Sequence, residues 1–275
     1  MKVFILAGGG GTRLYPLSTE DCPKQFLKLI DEKSLLADTI ERFSGLVPLS
    51  DITVITNGKY RELCERDLAE NGYSDVRILT EPCRRNTAPA IVLAALSVSG
   101  ITGKEPLVFA PSDHAISPQE EFHAAIRQGV ALAERGYITV FGVVPDRPET
   151  GYGYIKPGRE IQGGCLVEKF AEKPDAATAG RFVSEGYLWN AGLYCFTADT
   201  LFSELEKHCP DLYEAAQNGV SVFASRFEGL TPVSIDYALT EKTDKAAVIP
   251  MNLHWSDIGS WDSLGEYRRK MGLEA

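Results

Sequence analysis

The stretch Val3-Phe-Ile-Leu-Ala-Gly-Gly-Gly-Gly-Thr-Arg-Leu14 decides the fold, because a short apolar run opens directly into four consecutive glycines. The apolar run predicts a β-strand over Val3–Leu6. Glycines have no Cβ, so their backbone N–H groups can turn toward a ligand. Arg13 follows the glycines and Lys24 comes later, and both supply the positive charge that a polyphosphate requires. The stretch therefore predicts a strand followed by a loop that binds nucleotide phosphates.

Neither of the two common phosphate-loop patterns fits these glycines. A G-x-G-x-x-G fingerprint read from Gly8 or Gly9 would place its last glycine at Arg13 or Leu14. A G-x-x-x-x-G-K-[ST] loop also fails, because no lysine directly follows the run. The alternative to a phosphate-binding loop is a glycine-rich turn that joins a strand to a helix and binds no ligand.

The wider pattern Gly-Gly-x-Gly-Thr-Arg-Leu-x-Pro-Leu-Ser, followed by Pro23-Lys-Gln-Phe-Leu27, resembles the signature of the sugar-phosphate nucleotidyltransferase family. Within that family, Gln25 after Pro-Lys is similar to the mannose-1-phosphate guanylyltransferases (GDP-mannose pyrophosphorylases). The resemblance extends from Lys2 to about Tyr267. It implies a Rossmann-like three-layer α/β/α fold with a mixed, mostly parallel central sheet. The nucleotide contacts that it implies in the loop are Leu6, Ala7, Gly8, Gly9, Gly10, Gly11 and Thr12.

Composition and charge are those of a globular protein. The chain has 275 residues, of which 44% are hydrophobic and 24% charged, and its formal net charge is −10. A nucleic-acid-binding protein would need a basic face, and no apolar segment approaches membrane-spanning length. Six scattered cysteines without a C-x-x-C pair favour reduced thiols over disulfides or a metal site. We therefore expect a cytoplasmic protein without nucleic-acid or membrane partners.

Apolar runs alternate with helical patterns through the first half, which predicts a largely parallel sheet covered by helices. Ser117-Pro-Gln-Glu120 predicts a helix start, with a capping box and a proline in the first turn. Thr87 is expected to cap an apolar helix that also has a proline in its first turn. Glycine-rich turns after Pro145 predict antiparallel strands. The predicted strands are Val3–Leu6, Ile52–Thr56, Val76–Leu79, Leu107–Ala110 and Ile138–Val144.

We expect a single catalytic domain over residues 1–275, with a nucleotide-binding half of about 1–145 and a sugar-phosphate-binding half of about 146–275. Guanylyltransferases of the family usually continue past their Asp-Ile-Gly-Ser-Trp segment into a β-helical tail or an isomerase domain. This chain ends at Ala275, soon after that segment. We therefore expect neither addition, and the candidate assembly is a homodimer that does not use such a tail.

Two acids are candidates for holding a metal ion. Asp113 follows the predicted strand Leu107–Ala110, and Asp257 lies in Trp255-Ser-Asp-Ile-Gly-Ser-Trp261. Acids at strand ends point into the crevice where open α/β sheets bind ligands. Mg²⁺ takes one or two carboxylates together with phosphate oxygens and waters. The usual alternative for an isolated Asp in a loop is the capping of a turn. The resemblance implies that both acids are metal ligands and that Mg²⁺ is the cofactor.

Three later segments resemble the family's sugar-binding elements. A free-standing Glu-Lys-Pro, as at 172–174, is also a common surface turn, so the resemblance and not the tripeptide carries the assignment. Trp189 and Tyr194 flank another of these segments and are expected in the core. The resemblance assigns the sugar to Gly151, Tyr152, Glu172 and Asn190, and its phosphate to Lys173.

The segment from Glu81 to Thr87 resembles the part of guanylyltransferases that recognises the base. Guanine offers a donor edge and an acceptor at O6, which suit a loop amide or carbonyl and a backbone N–H. Asn86 and Thr87 would serve equally well as a helix cap, and the two roles are compatible when a base lies at the helix start. The implied contacts are Glu81, Arg85, Asn86 and Thr87. The family-like Asp236 receives no role.

The expected reaction needs no general base, because a sugar-phosphate oxygen is already ionised at neutral pH. The obstacle is electrostatic, since two unit charges ~4 Å apart interact by about 4 kcal/mol at an effective dielectric of 20. The resemblance implies an enzyme that forms GDP-mannose and pyrophosphate from GTP and α-D-mannose 1-phosphate. Its catalytic cations would be Arg13, Lys24 and Lys173. The alternatives are a nucleotidyltransferase for a different GDP-, dTDP- or UDP-sugar, and a non-catalytic nucleotide-binding regulatory subunit.

Overall fold

The computed structural model describes residues 1–273, and eleven strands and nine α-helices lie in that range. The strands are β1 Lys2–Leu6, β2 Ile52–Asn57, β3 Arg77–Glu81, β4 Pro106–Pro111, β5 Ala115–Ser117, β6 Ile138–Val143, β7 Tyr154–Ile161, β8 Gly164–Ala171, β9 Leu188–Thr197, β10 Ala246–Met251 and β11 His254–Ser256. The helices are α1 Leu35–Ser44, α2 Arg61–Glu70, α3 Thr87–Ser99, α4 Gln119–Glu134, α5 Ala176–Ser184, α6 Ala198–His208, α7 Pro210–Ala216, α8 Gly219–Ser225 and α9 Trp261–Lys270. All five predicted strands are confirmed, with ends that differ by one or two residues.

The chain forms two compact units, each assembled from segments that are not consecutive. The first unit contains Met1–Arg84, Phe109–Gln119 and the described residues from 254 to 273. The second unit contains Arg85–Val108 and Glu120–Leu253. Because the units alternate along the chain, the single domain with two halves that meet near residue 145 stays a prediction.

In the first unit, β1 is paired in parallel with β2, and β2 in parallel with β3. The register of the first pair runs from Val3↔Ile52 to Leu6↔Ile55. Val3, Phe4 and Ile5 are fully buried, as expected for a parallel strand that is covered on both faces. The carboxyl end of β1 leads directly into the glycines. The glycine loop therefore lies at the edge of the sheet where open α/β folds bind ligands.

A separate antiparallel ribbon in the first unit is formed by β5 and β11, with Ser117 opposite His254 and Ala115 opposite Ser256. Ser117 therefore ends a strand, and α4 begins at Gln119, after Pro118. The predicted capping box with a proline in the first helical turn is wrong. The backbone of Ser117 is used in strand pairing, which takes this residue away from the helix start.

In the second unit, the strands follow the order β9-β6-β10-β8-β7, and β7 also pairs with β9. The pair β6–β10 is parallel, whereas β10–β8, β6–β9, β7–β8 and β7–β9 are antiparallel. The predicted mixed sheet and the predicted antiparallel strands after Pro145 are confirmed. Trp189 and Tyr194 of β9 are buried, as expected.

The start of α3 follows the predicted pattern with one difference. The cap is Asn86, whose side chain accepts a hydrogen bond from Thr87 N (2.8 Å). Pro89 lies in the first turn, as predicted, and every residue of Ala88–Leu96 is buried. Among residues 1–273, the structure contains no helix long and apolar enough to cross a membrane. All six cysteines are free thiols.

A buried carboxylate on α6 anchors this helix to the residues before β10 in the second unit. Glu204 is fully buried, and its oxygens lie 2.6 Å from Lys207 Nζ, 3.1 Å from Lys245 Nζ and 2.7 Å from Thr243 Oγ1. Burial alone would raise the pKa of Glu204, but hydrogen bonds from these three groups outweigh it and lower the pKa to about 2. The contacts tie α6 to the residues that lead into β10.

Replacing Glu204 should destabilise the fold in a pH-dependent manner. A depressed carboxyl pKa stabilises the fold fully above its ordinary value of 4.5, and that stability is lost as the pH falls toward about 2. We expect Glu204→Gln to lower the free energy of unfolding by about 2 kcal/mol at pH 7, an estimate that allows for the partly exposed lysines. At pH 3 the loss should be less than half as large. Urea unfolding at both pH values measures it.

Glu206→Gln is the matched control, because Glu206 lies on the same helix and is exposed. It should change the free energy of unfolding by less than about 0.5 kcal/mol at either pH. An equal loss at pH 3 and pH 7 for Glu204→Gln would contradict the role of the carboxylate charge.

Candidate functional site

The glycine loop is held by side chains that bind its carbonyl oxygens. The amide of the buried Gln25 donates to Ala7 O (3.0 Å) and Gly9 O (3.1 Å), and Thr56 Oγ1 donates to Ala7 O (3.2 Å). Within the described part of the chain, the N–H groups of residues 8–11 donate no hydrogen bond. Backbone N–H groups without a partner are what an anion-binding loop presents. The sequence pattern pointed to Gln25 as a family marker but did not show that it anchors the loop.

Two of the four glycines make close contacts with other segments. Gly11 has φ +45°, and a Cβ there would lie 2.6 Å from the backbone N of Lys24. A Cβ on Gly8 would overlap the carboxyl of Glu81. Gly9, in contrast, has no neighbouring atom within 4 Å of the position a Cβ would take. The loop therefore packs against both the Lys24 segment and the end of β3.

An arginine that the sequence analysis did not select lies against the loop. A Cβ on Gly10 would be 3.0 Å from both terminal nitrogens of Arg84, and this guanidinium also donates to Tyr60 OH (2.9 Å). Burial raises the pKa of the nearby Glu81 to about 7, and the charge of Arg84 opposes this shift. The cation beside the loop is thus Arg84. The only feature of the sequence that could have indicated Arg84 was its position next to Arg85, which was predicted to contact the base.

Lys24 uses its ammonium to join segments that are far apart in sequence. Its Nζ lies 2.9 Å from Asp113 Oδ2, donates to the carbonyl oxygen of Asp257, and lies 3.2 Å from that of Ile258. A lysine ammonium has three N–H donors, and here three oxygens accept them. The buried Lys24 therefore holds both predicted metal ligands beside the glycine loop.

The β5–β11 ribbon explains why the two acids meet. Asp113 lies just before β5, and Asp257 comes directly after β11. Because the strands are antiparallel, with Ala115 opposite Ser256, the start of one and the end of the other lie at the same end of the ribbon. The two acids are thus brought to one place by strand pairing.

The electrostatics of this cluster favour an ionised carboxylate. Burial alone would raise the pKa of Asp113, but the ammonium of Lys24 and the neighbouring His114 hold it below its ordinary value. Burial lowers the pKa of His114, although Asp113 and Asp257 oppose the shift. The Nδ1 atom of His114 accepts a hydrogen bond from Trp255 Nε1 (3.2 Å). The imidazole is therefore fixed against the ribbon, as expected for a structural neighbour of Asp113.

Left-handed backbone marks predicted site segments. Among residues 1–273, the non-glycine residues with positive φ are Asn86, Lys173 and Ile258. A β-branched residue such as Ile258 pays a steric cost at φ +46°, and such strain collects at functional sites. Ile258 directly follows Asp257, and both carbonyl groups are held by Lys24. The ammonium thus stabilises a strained turn.

The donor set fits magnesium better than a transition metal. Within residues 1–273, no group of three or more His, Cys, Asp or Glu side chains is arranged to hold a metal ion. Two carboxylates, Asp113 and Asp257, are the hard oxygen ligands that Mg²⁺ takes when substrate phosphates and waters complete its shell. The residues present are therefore compatible with a metal that arrives with a nucleotide.

In the second unit, backbone hydrogen bonds join the predicted sugar-binding segments. Lys173 N donates to Tyr152 O (3.2 Å), and Asn190 N donates to Gly153 O (2.8 Å). A Cβ on Gly153 would lie 2.6 Å from Glu172 Oε2, so this glycine lets the Glu172 carboxylate approach the backbone closely. The sequence analysis missed Gly153, although the spacing of the two glycines in Gly151-Tyr-Gly was a signal.

The charged side chains of these segments are arranged for an anion and for hydroxyl groups. Lys173 Nζ lies 2.8 Å from Glu172 Oε1, and the lysine side chain is 63% exposed whereas that of Glu172 is 21% exposed. The ring of Tyr152 packs edge-on against Trp189, with 5.2 Å between the ring centroids. Gly151 is exposed, and its N–H donates to the carboxylate of Glu149 (3.1 Å). The lysine can thus meet a phosphate beside an acceptor for hydroxyl groups.

The predicted base-recognition residues of the second unit form hydrogen bonds with other residues of that unit. The Nε group of Arg85 donates to Glu228 O (3.1 Å), and Thr87 Oγ1 accepts from Ile235 N (2.9 Å). With Asn86 as the cap of α3, both sequence-derived alternatives stay compatible. Arg13 is exposed in a 3₁₀ turn, Thr12–Leu14, at the end of the glycine loop.

Comparison with known proteins gives consistent results. The family model described as nucleotidyl transferase matches residues 2–272. A mannose-1-phosphate guanylyltransferase from Escherichia coli is 42% identical over 98% of this chain and 60% of its own length. An alginate biosynthesis protein from Pseudomonas aeruginosa is 39% identical over 97% of this chain and 58% of its own length. The chain thus spans about 60% of the length of these curated relatives.

A solved structure supports the fold. The crystal structure of a mannose-1-phosphate geranyltransferase from Thermus thermophilus superposes with a TM-score of 0.88 at 34% identity, covering 97% of this chain and 78% of that one. This match confirms the expected Rossmann-like α/β/α nucleotidyltransferase fold with a mixed sheet.

Gly11, which is crowded, and Gly9, which has open space around it, together test whether the glycine loop packs on the Lys24 segment. We expect Gly11→Ala to lower the free energy of unfolding by about 2 kcal/mol or more, because it adds left-handed strain and an overlap with the Lys24 backbone. Gly9→Ala adds a methyl group in open space and should change this free energy by less than about 0.5 kcal/mol. Urea unfolding of both variants measures it, and equal losses would show that the loop does not pack on Lys24.

Proposed function

The chain belongs to the nucleotidyl transferase family, and we propose that it forms GDP-mannose and pyrophosphate from GTP and α-D-mannose 1-phosphate. The name of the E. coli relative supports this choice of substrates. The observation that carries the proposal is the Lys24 ammonium, which holds Asp113 and Asp257 beside a glycine loop whose N–H groups are unpaired in the described structure.

The nucleotide contacts belong mainly to the first unit. The N–H groups of Gly8–Gly11 donate hydrogen bonds to the triphosphate oxygens, and Arg13 adds positive charge at the end of the loop. Arg84, whose guanidinium lies against Gly10, adds a further cation that the sequence analysis did not include. Glu81, Arg85, Asn86 and Thr87 contact the base. Because Lys24 gives its three N–H groups to protein oxygens, it acts on phosphate through its charge.

The family generally uses a divalent metal, and we propose that Mg²⁺ is the ion for this chain. Asp113 and Asp257 would hold it, since the ribbon brings the two residues together and Lys24 contacts the carboxylate of Asp113 and the backbone carbonyl of Asp257. When bound, the ion supplies positive charge that neutralises phosphate oxygens during transfer. The protein residues fix where that charge lies.

The sugar phosphate is held by the second unit. Lys173 binds its phosphate, and Glu172 and Asn190 bind hydroxyl groups, with Gly151 and Tyr152 lining the hexose pocket. An oxygen of the sugar phosphate forms a bond to the α-phosphorus while the bond to the β-phosphate oxygen breaks, and pyrophosphate leaves. No proton is transferred, so the protein contributes position and charge neutralisation.

We also propose a cytoplasmic location, which the six free thiols support. The homodimer stays a prediction. A rival activity is suggested by a Helicobacter pylori structure described as a mannose-6-phosphate isomerase, with a TM-score of 0.76 and 30% identity over 93% of this chain and 100% of that one.

A substrate panel tests the proposed function. GTP, ATP, dTTP and UTP are each combined with mannose, glucose, fucose and heptose 1-phosphates, and pyrophosphate release is measured with Mg²⁺ present. We expect turnover with GTP and mannose 1-phosphate to exceed every other pair by at least tenfold, because base and sugar contacts select together.

The Asp257→Ala variant, shown to be folded by thermal unfolding, is the negative control and should lose at least a hundredfold in turnover. A different preferred pair would replace the substrates in the proposal. GTP binding without turnover for any sugar would favour the regulatory alternative, and conversion of mannose 6-phosphate would favour the isomerase.

A further inference from the structure

An acid without a role in the proposed reaction holds two side chains of β9. Asp236 opens a π-helical turn, Asp236–Thr240, in the second unit. Its Oδ1 atom accepts a hydrogen bond from Asn190 Nδ2 (3.2 Å) and another from the hydroxyl of the buried Tyr194. One carboxylate oxygen thus anchors a predicted sugar-binding residue and a core residue at once.

The backbone of β9 bulges between these two donors. Val140 of β6 lies opposite Tyr194 and Gly142 lies opposite Asn190, so a longer stretch of β9 faces a shorter stretch of β6. Gly192, inside the bulge, has φ +66° and donates its N–H to Asn190 Oδ1 (3.1 Å). Bulges of this kind redirect side chains near functional sites. Here the bulge turns the Asn190 amide toward Asp236.

The hydrogen bonds of Asn190 leave one group for a ligand. An asparagine amide has one acceptor oxygen and two N–H donors. The oxygen of Asn190 accepts from Gly192, and one N–H is given to Asp236. A flipped amide would place two acceptor oxygens against each other. Asp236 therefore locks the amide with its two N–H groups facing Asp236 and the neighbouring Tyr194 hydroxyl, so that the second N–H of Asn190 can also reach a hydroxyl oxygen of a ligand.

The position of Asp236 is set by the base-recognition segment. The preceding residue, Ile235, donates its N–H to Thr87 Oγ1 (2.9 Å), and Ala88 N donates to Val233 O (3.1 Å). The same short stretch thus contacts the start of α3 through its backbone and Asn190 through the Asp236 carboxylate. Contacts for the base and for the sugar share this stretch.

The Asp236 carboxylate lies in a buried environment close to a second acid. Burial raises the pKa of Asp236, the Tyr194 hydrogen bond opposes the shift, and the neighbouring Glu172 adds to it. A buried acid beside a second acid destabilises the charged form. The hydrogen bonds from Tyr194 and Asn190 oppose this pKa shift, so the two donors also stabilise the carboxylate that orients them.

We propose that Asp236 is a positioning residue for the sugar: it orients the Asn190 amide so that its remaining N–H donates to a hydroxyl oxygen of the sugar 1-phosphate. This inference rests on the proposed function. It deepens that function by assigning Asn190 the role of a donor and by giving Asp236 a role that acts through Asn190.

The test separates the two substrates by steady-state kinetics. In Asp236→Ala, we expect KM for mannose 1-phosphate to rise at least tenfold, because the amide can flip and lose its hydrogen bond to the sugar. KM for GTP should change less than twofold. Asp236→Asn keeps an acceptor oxygen for Asn190 and should recover most of the loss.

A double-variant cycle shows whether Asp236 acts through Asn190. If it does, Asn190→Ala and the double variant Asn190→Ala/Asp236→Ala should have the same KM for mannose 1-phosphate within twofold. Glu241→Gln is the matched control, because it removes a negative charge at the end of the same turn from an exposed side chain. It should leave KM for the sugar phosphate within twofold of the parent.

Additive effects in the cycle, or equal increases in both KM values, would overturn the positioning role. Thermal unfolding of each variant shows whether a rise in KM reflects misfolding. If Asp236→Ala is misfolded, the KM of Asp236→Asn for mannose 1-phosphate tests the positioning role instead. A parent protein without turnover for GTP and any sugar 1-phosphate would defeat the proposed function itself. An active parent whose Asp236→Ala variant is unchanged would defeat only this inference.

Discussion

The candidate nucleotide and metal site depends on one buried ammonium. Removing a lysine charge from water costs several kcal/mol unless oxygens replace the water. Lys24 receives that replacement from the Asp113 carboxylate and from the carbonyl groups of Asp257 and Ile258. These contacts join the segment after the glycine loop to one end of the β5–β11 ribbon, where β5 begins and β11 ends. Because Gly11 packs directly on the backbone of Lys24, any change in the lysine's position also reaches the loop that is proposed to bind the triphosphate.

The two units use charge in opposite ways. In the first unit a buried cation gathers two acids, and the strained backbone at Ile258 is stabilised by the same contacts. In the second unit a buried acid, Asp236, orients the amide of Asn190. Both arrangements leave hydrogen-bonding groups unpaired where a ligand can use them, and both cost stability that packing elsewhere must supply. The buried residues Val3, Phe4 and Ile5 of β1 are one source of that stability.

Much of the fold was predictable, because the strands of a covered sheet are apolar runs and the glycine run has few structural alternatives. The site was predictable only in part. Strand pairing between β5 and β11 takes Ser117 out of the helix start, and no local pattern shows this. The directions of neighbouring side chains cannot be read from the sequence either. The Arg84 guanidinium lies against the glycine loop, whereas the Arg85 side chain donates to the carbonyl oxygen of Glu228. Such outcomes depend on contacts between segments that are distant in sequence.

The most direct test of the central claim is hydrogen exchange at the turn that Lys24 holds. The amides of Ile258 and Gly259 donate to Ser256 Oγ and Asp257 Oδ1, so their exchange reports whether the turn stays formed. In Lys24→Met we predict exchange at these two amides at least tenfold faster than in the parent, because the carbonyl groups lose their donor. Lys28→Met, which removes an exposed charge nearby, should leave them unchanged. Unchanged exchange in Lys24→Met would contradict the account.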